Sequence, residues 1–217
     1  MQIMSQIIET TVYQLDELDA SARDRARDWY RRNATDEDWH EFRFADFATV
    51  CEILGVSLST KSVRLMGGGS RAAPKIYFSG FSSQGDGACY EGGYRFARDS
   101  VGRMRAHAPQ DAGLHAIAAR LLDVQRPNFY QIRAEIRHAG RYCHEYSMQI
   151  AVRRESPTGQ DMSNADEETV IDALRDLARW LYRQLEAEYD FMTADEQVDE
   201  TIRANGYSFT EEGHRFG

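Results

Sequence analysis

The chain is poor in cysteine, in lysine and in long apolar runs, and each shortage excludes something. Its 217 residues include three cysteines, Cys51, Cys89 and Cys143. That odd number, widely spaced, provides neither a disulfide framework nor a four-thiolate zinc site. No apolar stretch has the length needed to cross a bilayer, so no membrane association is expected. The amino terminus, with Glu9 and no basic leader, does not read as a secretory signal, and a reduced cytoplasm is the expected setting. Bases number 26 against 35 acids, a formal net charge of −9, whereas a general nucleic-acid binder would carry a basic footprint. Only Lys61 and Lys75 among the bases are not arginine, a bias of composition that marks no site. With 42% hydrophobic and 11% aromatic side chains, the chain can fill a core unaided, and disorder is excluded.

Several catalytic signatures are missing too. Gly67, Gly68 and Gly69 run into Ser70 and Arg71 without the Lys-Ser or Lys-Thr at a helix start that a phosphate cradle needs. This segment, with Lys61, Arg64, Arg71 and Lys75 around it, reads as a mobile surface loop. Gly80-Phe81-Ser82-Ser83-Gln84 lacks the second glycine of a nucleophile elbow. Gly85 and Gly87 are followed by Tyr90 where a dinucleotide fingerprint has its third glycine.

What is present is pattern. Residues 6–14 are rich in β-branched types and read as a first strand. Asp19, Ala20 and Ser21 open a helix whose inner face is Leu18, Ala22, Ala26 and Trp29 or Tyr30. A second helix over 38–54 carries a broad apolar set and ends at Gly55, where a left-handed cap is free of steric cost. Strands follow at 56–58 and 75–81, then helices at 101–107 and 109–124. Residues 129–137 and 145–153 alternate apolar and polar side chains, the mark of two half-buried strands, and their short link with Gly140 makes them an antiparallel hairpin. A long helix over 165–190 carries the stripe Val170, Leu174, Leu177, Leu181 and Leu185, and a last one over 193–205 is capped by Thr193 and ended by Gly206. The expected fold is α+β: one domain over residues 1–217, an antiparallel sheet with helices packed on one face, and acidic C-terminal helices in 161–217.

Three constellations are candidates for function. The densest lies between two aromatic strands, where Ser82, Ser83, Gln84, Asp86, Tyr90 and Glu91 form either a small polar binding pocket, enzymatic or ligand-holding, or a glycine-rich turn whose serines serve its own backbone. Asp86-Gly87 is in addition a strong hairpin-turn signal. His138, Cys143 and His144 sit close together and could meet His115 or His107, yet no recognised ligand spacing occurs. No metal and no cofactor are therefore expected, and the cysteines read as buried inert thiols. The exposed hairpin face carries Arg133, Arg137 and Arg153, a conceivable RNA surface, with Phe129 as its one clear stacking residue.

The charge is unevenly placed. Residues 161–217 hold 15 acids and 5 bases, whereas 1–160 hold 20 acids and 21 bases. Glu186, Glu188, Asp190, Asp195, Glu196, Asp199 and Glu200 then form an acidic helical surface suited to a host or phage protein with a basic surface, and direct nucleic-acid binding is disfavoured.

The stretch Tyr77-Phe78-Ser79-Gly80-Phe81-Ser82-Ser83-Gln84-Gly85-Asp86-Gly87-Ala88-Cys89 resembles the hallmark of a family of small phage and prophage accessory proteins. Asp28-Trp29-Tyr30, Ala108-Pro109-Gln110-Asp111 and Asp199-Glu200-Thr201-Ile202-Arg203-Ala204-Asn205 are similar to its other shared stretches. Members are often labelled as the antitoxin of a toxin–antitoxin stability system. The resemblance implies a mobile-element protein in a bacterial host. It would act by non-enzymatic protein binding, neutralising a toxin or a host defence component such as CRISPR machinery, with no family catalytic residue to carry over.

Overall fold

The computed structural model describes residues 9–33 and 38–217, and these build an α+β fold. Helix α1 (Ala20–Asn33) is followed by α2 (Glu41–Leu54), β1 (Val56–Leu58), β2 (Thr60–Arg64), β3 (Ser70–Pro74), β4 (Ile76–Phe78), β5 (Ala88–Tyr90) and β6 (Gly92–Arg95). Then come α3 (Ser100–His107), α4 (Ala112–Gln125), β7 (Ile132–His138), β8 (Met148–Arg154), α5 (Asn164–Thr193), α6 (Asp195–Ala204), β9 (Ser208–Phe209) and β10 (Arg215–Phe216). Where the sequence suggests one domain, the chain divides into two compact units, the first Met1–Trp39 with Ala187–Gly217 and the second His40–Glu186. The acidic stretch 161–217 is thus shared between the two.

In the second unit four antiparallel strands run in the order β1-β6-β7-β8. The β7–β8 register, from Ile132 opposite Arg154 to His138 opposite Met148, puts Ile132, Ala134, Ile136 and Met148 on one buried face. Arg133, Glu135 and Arg137 alternate onto the exposed side. Against the apolar face lie the inner sides of the helices: Phe47, Val50 and Leu54 of α2, Leu114, Ile117 and Leu121 of α4, and the full α5 stripe from Val170 to Leu185. Burying each such leucine or phenylalanine contributes about 1.5–3 kcal/mol. Gly55 closes α2 at φ 87°, its N–H donating to the carbonyls of Cys51 and Glu52, as the sequence predicts.

Several expectations need correction. The glycine-rich segment is the turn of a β2–β3 hairpin, Thr60 opposite Pro74 through to Arg64 opposite Ser70, because Gly68 and Gly69 take up the positive φ that the reversal requires. The strand expected from 129 begins at Ile132: Phe129 and Tyr130 both have positive φ, and the Tyr130 N–H returns to the Gln125 carbonyl, so these two residues turn the chain out of α4. Thr193 does not cap the last helix. Its hydroxyl donates to the Tyr189 carbonyl and keeps it within α5, while Ala194 takes the N-cap position. Of the strand expected at 6–14, residues 6–8 lie outside the described residues, and in 9–14 pairing is confined to a bridge between Tyr13 and Phe209.

The first unit packs Leu15, Leu18, Ala22, Ala26, Val198, Ile202 and Phe209 into a small core, with Trp29, Tyr30 and Tyr207 around it. Asp19 accepts from the Ala22 N–H and starts α1. Arg27 is this unit's electrostatic hub: its guanidinium binds both Asp199 oxygens at 2.7 Å and reaches Asp24 and Asp195 at 3.1 Å. The Arg27 hydrogen bonds hold the Asp199 carboxyl below its ordinary value, overcoming the opposing effect of burial. A depressed folded-state pKa contributes stability that is present above the unfolded value near 4 and is lost as pH falls through the folded one. Asp199→Ala is expected to cost roughly 3 kcal/mol, at the low end for breaking a mostly buried pair because Asp24 and Asp195 still face Arg27. The variant should also lose part of the acid dependence of unfolding. A denaturant titration at neutral and acidic pH in which wild type and variant lose stability in parallel would contradict this.

Candidate functional site: a thiol and imidazole cluster behind a polar turn

Strands β4 and β5 pair Ile76 with Tyr90, Tyr77 with Cys89 and Phe78 with Ala88, and the chain between them is a nine-residue loop over 79–87. It is not the two-residue reversal that Asp86-Gly87 suggests. The Ser79 N–H donates to the Gly87 carbonyl across its neck, and one Asp86 oxygen accepts from the N–H groups of Ser82 at 3.1 Å and Ser83 at 2.7 Å. These amide bonds, Ser83's foremost, hold the Asp86 carboxyl below its ordinary value. Asp86 is therefore committed to shaping the loop, and Ser82, Ser83 and Gln84 stand exposed on its rim.

The other two residues of the expected pocket are elsewhere. Tyr90 is fully buried, its hydroxyl donating to the Leu174 carbonyl at 3.0 Å and its ring 5.3 Å from that of Phe47. Glu91 accepts from Lys75 at 2.9 Å and from the Tyr77 hydroxyl at 3.3 Å. The six residues do not converge on one cavity.

A different group does converge. Strand alternation points Cys89 away from Tyr90, and Cys89 is buried all the same because the β7–β8 link lies over it. The link comes this close only because residue 87 is glycine: a Cβ there would stand 2.6 Å from the His144 Cβ. At its far end the link is held by Arg179 of α5, which binds Glu145 at 2.8 Å and the Tyr146 hydroxyl at 2.9 Å. The result brings donor atoms of Cys89, His138 and Cys143 within 4.8 Å of one another.

The His138 Nε2 stands 2.9 Å from the Tyr142 carbonyl oxygen. A carbonyl only accepts, so Nε2 is the donor in this bond, and in the neutral imidazole the lone pair is then on Nδ1. The Tyr77 ring packs against this imidazole at 5.2 Å. Burial pushes the Cys89 thiol up to about 12; the Ser147 hydroxyl opposes the shift, and Cys143 and Glu91 add to it. A thiol held protonated in this way is a poor nucleophile.

His138 and Cys143 thus belong together as the sequence suggests, but their third companion is Cys89. His144 turns its Nδ1 to the Tyr146 N–H, His115 bonds the Ala108 carbonyl, and His107 pairs with Asp46. No local spacing reveals Cys89, since it arrives through the pairing of β4 with β5 and the seating of the link on Gly87. Its place opposite the aromatic Tyr77 in a hairpin is the nearest thing to a signal.

The acidic set is also rearranged. Asp195 and Asp199 both bind Arg27, and Asp195, its side chain still 61% exposed, also pairs with Arg31 at 2.5 Å. Asp199, expected on the partner surface, is only 8% exposed. Glu186 belongs to the second unit, whereas Glu188, Asp190, Glu196 and Glu200 lie in the first, where Asp190, Glu196 and Glu200 are exposed. On the open sheet face a shallow groove of about 470 Å³ is lined by Arg95, Arg133, Glu135 and Arg153 among others. Arg133 and Arg153 of this groove pair with Glu155, and Arg137 beside it on the same face pairs with Glu135. The Arg154 guanidinium also covers the Phe129 ring at 5.6 Å. This counts against the RNA-binding alternative, which needs free cations beside open rings.

Fold and site together define an α+β protein whose most chemically able group is a cluster of soft donors. The chain belongs to a family described as a domain of unknown function (DUF8835), whose model matches residues 39–195. The match takes in all of the second unit, including Cys89, His138 and Cys143, and leaves out most of the first. No curated protein and no solved structure matches the chain.

If Asp86 shapes the loop, Asp86→Ala should leave thermal unfolding almost unchanged while the Ser82 and Ser83 amides lose protection from hydrogen exchange. Unaltered protection at both amides would remove Asp86 from that role.

Proposed function

We propose that this protein is a phage- or prophage-type accessory protein that acts without catalysis, binding a host or phage protein with a basic surface and so neutralising a toxin or a host defence component. The observation that carries this reading is the partition of charge between the units. The first holds 17 acids and 7 bases, a net −10, and the second 18 acids and 19 bases, a net +1. Three of the seven arginines of the first unit are paired with its own acids: Arg27 and Arg31 meet Asp24, Asp28, Asp195 and Asp199, and Arg203 meets Asp16. Exposed carboxylates such as Glu196, Glu200 and Glu211 then set the unit's outward field. A field of one sign steers an oppositely charged partner and favours it over others.

The resemblance of residues 77–89 and 199–205 to phage and prophage accessory proteins supports the biological setting, the cytoplasm of a bacterial host. Among the described residues no helix is long and apolar enough to cross a membrane. The enzymatic alternative loses support from the loop itself, where Asp86 is bound to Ser82 and Ser83 and Tyr90 is enclosed.

A pull-down from host lysate at graded ionic strength tests the reading. The wild-type chain should retain a basic-surface protein at low salt and release it at high salt, and Glu196→Lys/Glu200→Lys should weaken capture roughly tenfold or more. Capture that survives both high salt and charge reversal would refute an electrostatic contact through this unit.

A further inference from the structure

We propose that Cys89, His138 and Cys143 form a binding site for a single zinc ion, with the fourth tetrahedral position taken by water. The inference stands apart from the partner-binding reading, since it concerns the second unit and requires no partner.

The donor set is the first argument. Two thiolates and one imidazole are the ligands that select zinc among the common divalent ions, and three protein donors with one open position is an established zinc arrangement. Their donor atoms already lie within 4.8 Å of one another. For three ligands of one ion at bond lengths of about 2.0–2.3 Å, tetrahedral geometry places donors roughly 3.5–3.8 Å apart. The contraction needed is small, and the two residues that must move, His138 and Cys143, are at a strand end and in a link, while Cys89 is fixed in a buried strand.

The second argument is preorganisation. The Tyr142 carbonyl holds the His138 Nε2 proton and leaves Nδ1 to ligate, the outer-shell arrangement by which proteins orient a metal-binding histidine. Tyr77 packs on the imidazole, and its hydroxyl is tied to Glu91, which is tied in turn to Lys75. A disulfide between the two cysteines would make no use of the histidine; both thiols are free.

On binding, each thiol gives its proton to solvent as its sulfur bonds to the ion, so uptake releases protons and involves no oxidation. The ion would join three segments that are separate in sequence: β5, the end of β7, and the link over 139–147. It would thereby fasten the link to the hairpin that carries the polar loop.

The test is a titration of the purified, fully reduced full-length chain with Zn²⁺ against a chromophoric chelator, paired with Co²⁺ as an optical probe. One zinc per chain is expected, and cobalt should give the spectrum of a tetrahedral thiolate site. Cys143→Ser and His138→Gln should each bind more than about a hundredfold more weakly, beyond the ten- to hundredfold typical of losing an outer-shell partner. His144→Gln, which removes a neighbouring imidazole outside the group, should bind like wild type. Should a variant fail to fold, alkylation of the wild-type chain decides: zinc should protect Cys143 from a thiol reagent. Absence of stoichiometric zinc in the reduced chain, wild-type affinity in Cys143→Ser, or equal alkylation of Cys143 with and without zinc would each overturn the proposal.

Discussion

Strand β5 has no exposed face, and the second unit is organised around that constraint. Ala88, Cys89 and Tyr90 are all at most 1% accessible, so both sides of a three-residue strand must be covered by something. On one side Tyr90 inserts between α2 and α5, where Phe47 meets its ring and the Leu174 carbonyl accepts its hydroxyl proton. A buried phenol without such an acceptor would cost about 1–3 kcal/mol, so this bond helps fix where α5 passes. On the other side Cys89 is covered by the β7–β8 link, which approaches through the gap left at Gly87. The same constraint that completes the core therefore brings a thiol from the middle of the chain against a histidine and a second thiol some fifty residues further on.

The first unit is organised differently, by charge around a small core. Among the described residues its apolar cluster has only seven buried side chains, and Arg27 adds to it by binding carboxylates from α1 and α6 at once. Arg27, Arg31 and Arg203 pair with acids of the same unit, and carboxylates such as Glu196, Glu200 and Glu211 look outward. A net charge that first counts only against nucleic-acid binding becomes, on folding, a property of one unit.

The sequence made some of this legible for plain reasons. The α5 stripe and the β7–β8 alternation are long enough for periodicity to be unambiguous, and Gly55 occupies a position where a helix with a buried face must stop. Less was legible where local chemistry competes with pattern. The β-branched run before Leu15 reads as a strand, yet what decides its fate is the partner available to it, and pairing in 9–14 is limited to Tyr13 with Phe209. Gly67, Gly68 and Gly69 look like flexibility because the turn they build is visible only once β2 and β3 are paired. Asp86 looks like a functional carboxylate because its two amide donors lie three and four residues away, a local bond that composition does not announce. Cys89 was hidden most completely, since the site needs tertiary contacts that no spacing encodes, and the sequence expectation that no metal binds rests on spacing alone.

The central claim is that burial of β5 produces a site and not merely a packed strand. X-ray absorption at the zinc edge, recorded on the full-length chain loaded with one equivalent of zinc, addresses the ion's own surroundings most directly. The account predicts a shell of two sulfurs at about 2.3 Å together with two nitrogen or oxygen neighbours at about 2.0–2.1 Å, one from His138 and one from water. A shell made only of nitrogen and oxygen, with no sulfur neighbour, would contradict it.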